Sequence, residues 1–350
     1  MFPKRLFDHG GKLSPEEKKL TSYRGAIGEA LREEMRRDET VMVMGQDVAK
    51  APAFGVTMGL LQEFGKDRVR DTPISEIGMV GAAVGAALAG MRPIVELQFG
   101  DFLSCAIDQV THQGGMLRYL SGGQIKVPVV IRLPCGAGQG TGSHHAQCLY
   151  SWFVHAPGIK VVLPSTAKDA KGLMKTAIRD NNVVLFYEHK ILYRSRWPVP
   201  PEYHQPDFLI PFGQADIKRV GRDVTVVATL AAVHYALAAA NELEKEGVSV
   251  EVIDPRTLVP LDRQTIVDSV KKTHRLVVVD EAYLNCGIQS ELIALVAEEA
   301  FSYLEAAPRR LGNPNVPVPF PPTCEELVIP DKEAIASAIR EVTGKMKIRP

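Results

Sequence analysis

From about Leu20 onward, short runs of Val, Ile and Met alternate with longer stretches whose apolar residues recur at helical spacing. The helix-like TSYRGAIGEALREEMRRD leads into the apolar run VMVMG at 41–45. RVRDTPIS ends a strand at a proline and opens the Gly/Ala helix EIGMVGAAVGAALAG at 76–90. PIVELQF (93–99), a helix-like DFLSCAIDQVTHQGGMLRYL and PVVIRLP (128–134) follow. A Gly-rich loop and an aromatic helix then precede IKVVLPS, the helix TAKDAKGLMKTAIRD and the run NVVLFYEH. Continuous Val/Ile runs suit strands covered on both faces, and their alternation with helices predicts a parallel α/β sheet.

Between Trp197 and Phe212 the pattern stops, and WPVPPEYHQPDFLIPF carries five prolines. Proline removes a backbone donor and disfavours helix at the residue before it, so this segment reads as a linker. A second α/β series follows: DVTVVAT, an alanine-rich helix at 231–246, VSVEVID, LDRQTIVDSVKKT and RLVVVDE. The helix IQSELIALVAEEAF, a Pro-rich stretch (308–322) and the helix DKEAIASAIREVTG complete it. The predicted organisation is an N-terminal extension (1–20), a first domain (21–197), a linker (198–212) and a second domain (213–350), both domains doubly wound.

A chain of 350 residues has room for roughly two such domains. Lys plus Arg and Asp plus Glu both number 41, so the neutral balance points to neither nucleic acid nor a membrane surface. Cys105, Cys135, Cys148, Cys286 and Cys324 are scattered and odd in number, which excludes a complete disulfide framework and fits reduced thiols in the cytoplasm. The beginning, MFPKRLFDHGGKLSPEEKK, lacks the apolar core of a signal peptide, and Glu16 and Glu17 fit an organellar transit peptide poorly. The apolar stretch Gly78–Met91 is too short to span a bilayer.

Three segments carry candidate chemistry. In DTPISE (71–76) a strand ends at a proline and Glu76 opens a helix of small apolar residues. The simpler reading is that Ser75 caps the helix and Glu76 complements its dipole. The alternative is a carboxylate of raised proton affinity in a dry setting, suited to proton exchange with a heteroaromatic nitrogen. CGAGQGTGSHH (135–145) has glycines at 136, 138, 140 and 142, a spacing that fails the dinucleotide Gly-x-Gly-x-x-Gly register. It delivers His144 and His145, expected at a helix start and a strand's carboxyl edge, where active sites form. FGDFLSCAIDQV (99–110) sets Phe99 and Phe102 at a strand end, as core residues or as a stacking face for a flat ring; Asp108 reads as an exposed or packing residue.

Taken together, DTPISE with its Gly-rich helix, FGDF with AIDQV, SGGQIKVPVVIR, HHAQC, PGIKVV-x-PS, DAKGLMKTAIRDNN and VIDPRTLVPLD resemble one family in the same order. It is the β subunit of thiamine-diphosphate-dependent 2-oxo acid dehydrogenases (pyruvate, branched-chain or acetoin), related to transketolase. The resemblance runs from about residue 21 to the last helix. It implies a pyrimidine-binding domain followed by a transketolase-type C-terminal domain. Glu76 would hydrogen-bond the aminopyrimidine nitrogen and favour the tautomer that activates the thiazolium. Phe102 would lie against the pyrimidine with Gln98 beside it, and His145 would sit near the substrate carboxylate and the incoming lipoyl group. A potassium site would map to Val129, Ala177, Ile178, Asp180 and Asn182. Two positions depart from the family pattern: Gln46 stands where Glu is common, and Ala146 where Ser is common.

The superfamily's Gly-Asp-Gly motif, which holds the magnesium diphosphate, is absent; the nearest string is Gly100-Asp101-Phe102. The resemblance therefore implies an α subunit carrying magnesium, two α and two β chains assembled together, and a lipoyl-bearing dihydrolipoyl acyltransferase core as acceptor. The expected reaction is decarboxylation of a 2-oxo acid with reductive acylation of lipoyl groups. Acetoin cleavage, a split transketolase or deoxyxylulose-phosphate-synthase-like enzyme, and a non-catalytic scaffold are the rivals, and Glu76 and His145 weigh against the last.

Overall fold

The computed structural model describes residues 20–345; the N-terminal extension through Lys19 and residues 346–350 lie outside that range. The first half supplies strands β1 (Thr21–Ser22), β2 (Val41–Gly45), β3 (Val69–Asp71), β4 (Arg92–Glu96), β5 (Val130–Cys135), β6 (Ile159–Val162), β7 (Val183–His189) and β8 (Arg196–Trp197). The second supplies β9 (Asp216–Arg219), β10 (Val224–Ala228), β11 (Val250–Asp254), β12 (Thr257–Val259), β13 (Leu276–Tyr283) and β14 (Arg309–Asn313). All five residues of β2 and all seven of β7 are buried, which only a sheet covered by helices on both faces can satisfy.

Seven strands form the first sheet in the order β12-β6-β7-β5-β4-β2-β3, parallel except for β12. Five form the second, β14-β13-β10-β11-β9, parallel except for β9. Strand β12 follows the proline-rich segment in sequence yet completes the sheet of the first half. Neither β12 nor β14 was expected, since one is three residues long and the other sits inside a Pro-rich stretch.

Two further segments differ from their sequence reading. DFLSCAIDQVTHQGGMLRYL is not one helix: it winds as a 3₁₀ turn (Gly100–Ala106), a π turn (Gln109–Gly115) and one α turn (Leu117–Leu120). Gly114 and Gly115 lie so close to Val183 and Ile159 that an added Cβ would stand 2.7 and 3.1 Å from them. The two glycines let this segment pack close to β6 and β7, and such π turns recur at functional sites. The aromatic helix is a single turn, Ser151–Val154, so His144 and His145 lie in a turn well before it rather than at its start.

The halves are packed together. Leu163 N–H donates to Arg256 O (2.8 Å), and Asp169 receives Lys218 Nζ at 2.6 Å and Arg256 Nη1 at 3.2 Å. Val227, Ile253 and Leu276 share one apolar core with Val95, Ile131 and Leu185. Within the proline-rich segment, Tyr203 is fully buried and donates to Glu29 at 2.7 Å, while Ile210 packs on Gly172. Among the described residues no helix is long and apolar enough to cross a membrane.

Candidate active site

The order in which strands are added reverses between β2 and β4: β3 extends the sheet on one side of β2, and β4, parallel to β2 as β3 is, lands on the other. In open α/β sheets, ligands bind in the crevice at the carboxyl ends of the strands flanking such a switch. Gln46 follows β2 and Gln98 follows β4, and Gln98 Nε2 donates to Gln46 O at 2.9 Å, bridging the switch point. Beneath them, Arg132 of β5 donates to Glu188 of β7 through Nε (2.7 Å) and Nη2 (2.8 Å), and to Glu96 of β4 through Nη1. Tyr193 donates to the same Glu188 at 2.8 Å. All three ladder side chains are buried, and with two carboxylates on one guanidinium, burial pushes the Glu96 carboxyl up. The ladder locks three neighbouring strands where they enter the crevice.

On this floor the aromatic residues gather. Phe99 and Phe102 meet edge to face with ring centroids 5.8 Å apart, and the His145 ring stands 4.5 Å from Phe99 and 5.5 Å from Phe102. Lys190, just past β7, holds the histidine turn from below. Its Nζ donates to His145 O and to Thr141 Oγ1 (3.1 Å) and lies 5.1 Å from the Phe99 ring centre. Burial lowers its proton affinity. Asp101 is buried too and accepts from Gln147 N (3.2 Å) and Nε2 (3.0 Å), while its Oδ2 has no partner among the described residues; burial raises its carboxyl. Gln147 Oε1 in turn accepts from Tyr283 at 2.8 Å. The Asp of the near-miss Gly-Asp-Phe string is thus an internal support for the segment after His145.

Glu76 is placed differently. It opens the helix Glu76–Leu88 beyond the edge strand β3, and Ser75 does cap that helix, accepting from Gly78 N at 3.3 Å. Among the described residues none hydrogen-bonds or ion-pairs with the Glu76 carboxylate. The dry setting expected from the small apolar residues is not supplied by this chain: Glu76 is half-buried, with Ile74 73% and Ile77 52% exposed on either side. The structure brings Phe99, Phe102 and His145 together and sets Gln98 on Gln46 O at the neighbouring strand end, while Glu76 opens the helix that packs against the 3₁₀ turn carrying Phe102.

The residues mapped to potassium lie at the opposite, amino-terminal edge of the sheet, where β5 and β7 begin. Val129 O accepts from Val184 N (2.9 Å), and Ala177 O accepts from Asp180 N (3.2 Å). Arg92 Nη1 donates to Ile178 O (2.9 Å) and Asp180 O (2.8 Å), so a guanidinium already approaches two of the expected carbonyls. Asn182 donates to the Asp180 carboxylate and accepts from Arg118 at 3.2 Å. Asp108 is exposed and pairs with His112 at 2.8 Å. Among the described residues no group of three or more His, Cys, Asp or Glu could hold a metal ion.

Sequence reasoning missed Lys190, Asp101, Gln147, Tyr283 and a further pair, His189 and Glu281, whose Nε2 and Oε2 lie 2.7 Å apart. Burial pushes the Glu281 carboxyl up, but the His189 ring and the Ala137 N–H outweigh it and hold the carboxyl below its usual range. Asp101, inside the Gly-Asp-Phe string, and Gln147, inside HHAQC, lie in motifs visible in the sequence, but nothing there signals that they pair.

Residues 19–196 match the pyrimidine-binding domain of transketolase, and residues 213–335 its C-terminal domain. The chain is 44% identical over 340 residues to the acetoin:2,6-dichlorophenolindophenol oxidoreductase subunit beta of Bacillus subtilis, covering 93% of this chain and 98% of that protein. It is 45% identical over 325 residues to a pyruvate dehydrogenase E1 component subunit beta of Rhizobium meliloti, covering 93% of this chain and 70% of that one. A solved structure described as a split-gene transketolase, inactive beta4 tetramer, superposes with a TM-score of 0.75 at 24% identity, covering 93% of this chain and all of that one, a likeness of fold alone.

Proposed function

The chain belongs to the transketolase-like β subunits of the pyruvate, acetoin and branched-chain 2-oxo acid dehydrogenases, thiamine-diphosphate-dependent oxidoreductases, and from that premise we propose how its own residues share the work. The observation that carries the proposal is the Glu76 carboxylate, unpaired among the described residues at the carboxyl edge of a parallel sheet whose crevice holds half-buried aromatic rings. These residues fit the pyrimidine half of the cofactor, which supplies, when bound, the nucleophilic carbon that attacks the 2-oxo group. Glu76 holds or releases a proton at a ring nitrogen. Phe102 offers a ring face, with Gln98 fixing the strand end beneath it. His145 presents its imidazole to the substrate carboxylate and the acceptor.

The proposal extends to the rest of the assembly. An α subunit carries magnesium and the diphosphate, since this chain has no Gly-Asp-Gly motif, and it covers the open face around Ile74 and Ile77. Two α and two β chains assemble in the cytoplasm and pass acyl groups to a lipoyl-bearing acyltransferase core. Potassium binds the Val129, Ala177, Ile178, Asp180 and Asn182 turn, using carbonyl lone pairs that Arg92 and the backbone leave free. The chain divides at 198–212 into its pyrimidine-binding and C-terminal domains. Identities of 44% and 45% to acetoin and pyruvate enzymes do not choose a substrate.

The test is assay of the complex co-expressed with its α partner against pyruvate, branched-chain 2-oxo acids and acetoin, with a lipoylated domain as acceptor. Turnover of one of these and acylation of the lipoyl group is expected. The isolated β chain is expected to be silent and, by calorimetry with thiamine diphosphate and magnesium, to bind poorly. Micromolar binding and turnover by the β chain alone would replace the shared site with a self-sufficient one.

A further inference from the structure

The glycine-rich loop that fails as a dinucleotide motif has a different use. Gly136, Gly138, Gly140 and Gly142 all adopt left-handed φ, at 86°, 98°, 63° and 76°. Alternating left-handed residues turn successive backbone N–H groups to one side, a concave arrangement that holds anions. Here the anions are carboxylates from the second half of the chain. Glu325 accepts from Gly138 N at 2.8 Å and Gly140 N at 3.1 Å, and Glu281 accepts from Ala137 N. Glu325 is fully buried, and among the described residues no Lys or Arg pairs with it, so the loop amides carry its compensation.

The segment around Glu325 also closes on the loop by packing. Val318 and Ile329 form a small apolar cluster with Ala137 and Ala146, which bracket the loop and the histidine turn. Pro322 and Phe320 lie against Gly140 and Gly142, where an added Cβ would stand 3.2 Å from each. At the loop's base, a Cβ on Gly136 would sit 2.1 Å from His189 Nε2, so only glycine lets the chain pass the His189–Glu281 pair. The loop ends at His145, whose ring meets Phe99 and Phe102.

We propose that residues 318–329 form a clasp and that Glu325 is a positioning residue for His145, holding the loop that aims the imidazole; this rests on the role given to His145 above. A buried carboxylate bound by loop amides fixes the loop in one conformation, and misplacing a catalytic group by about 1 Å can cost on the order of a hundredfold in rate.

The experiment uses the assembled complex with wild-type, Glu325→Ala and Glu325→Gln β chains, and measures amide exchange at 137–142 together with kcat and KM. Glu325→Ala should speed exchange at Gly138 and Gly140 at least about tenfold. It should lower kcat by about tenfold to a hundredfold while KM for the 2-oxo acid moves little. Glu325→Gln keeps one acceptor oxygen and should recover part of both; it carries the test if the Ala complex does not assemble. Unchanged exchange overturns the clasp. Faster exchange with unchanged kcat overturns the positioning role. A wild-type complex inactive on every 2-oxo acid and on acetoin sinks the functional reading and the positioning role with it, while exchange still decides the clasp.

Discussion

Glu76 and His145 stand at the carboxyl edge of the same sheet, but the chain builds their surroundings in opposite ways. The histidine turn is closed: its carbonyl is held by Lys190, its ring by two phenylalanines, and its preceding loop by carboxylates more than 130 residues away. Glu76 is open, with a serine cap on its helix, exposed isoleucines on either side and no partner for its carboxylate among the described residues. The difference separates what one polypeptide preorganises from what it leaves to a second. A group finished within the chain pays its ordering entropy during folding. A group left open keeps its hydrogen-bonding capacity for a ligand and a partner surface.

The largest effect should come from the open end. Glu76→Gln in the complex is expected to slow cofactor proton exchange and turnover by about a hundred- to ten-thousand-fold with assembly and Tm unchanged. Near-normal turnover would restore the helix-cap reading. At the closed end, Arg132→Met strands the Glu96 and Glu188 carboxylates without their cation and should cost about 3–5 kcal/mol in denaturant unfolding of the β chain. A loss below about 1 kcal/mol would mean the ladder is not what fixes the strand ends.

A pH-dependent effect sharpens the same contrast. Tyr150, just after the histidine turn, donates to Asp280 of β13, and burial raises that carboxyl to about 6. Because the folded value lies above the unfolded one, ionising Asp280 costs stability as pH rises from about 4 through 6, and the cost then stays constant. Asp280→Asn should therefore match the wild type near pH 4 and exceed it at pH 8, by at most about 3 kcal/mol. A stability difference independent of pH would show that Asp280 is ionised throughout. The smallest expected effect is Ser75→Ala, about 1 kcal/mol of stability from the lost cap, with turnover nearly unchanged. A large activity loss there would mean that the cap also sets where the Glu76 carboxylate stands.

Much of the fold was legible because two-sided burial leaves a local signature. VMVMG and NVVLFYEH could only be covered strands, and the observed limits of β2 and β7 fall within a residue of those runs. Local pattern failed where packing overrode it. An apparent helix takes a π turn where Gly114 and Gly115 pack close to Val183 and Ile159, and β12 is recruited across the proline-rich segment by pairing with β6.

The candidate site divides along the same line. Sequence by itself determined the strands covered on both faces, such as β2 and β7, and the order of the α/β units, because that pattern is set by neighbours a few positions away. Only the tertiary structure decided that the Asp of Gly100-Asp101-Phe102 supports the segment after the histidine, that Arg92 reaches the Ile178 and Asp180 carbonyls, and that Glu325 fills the glycine loop. Those contacts join residues 46 to 187 positions apart. A single carboxylate or guanidinium carries no periodicity to announce its partner, so its role exists only once the sheets have brought the two together.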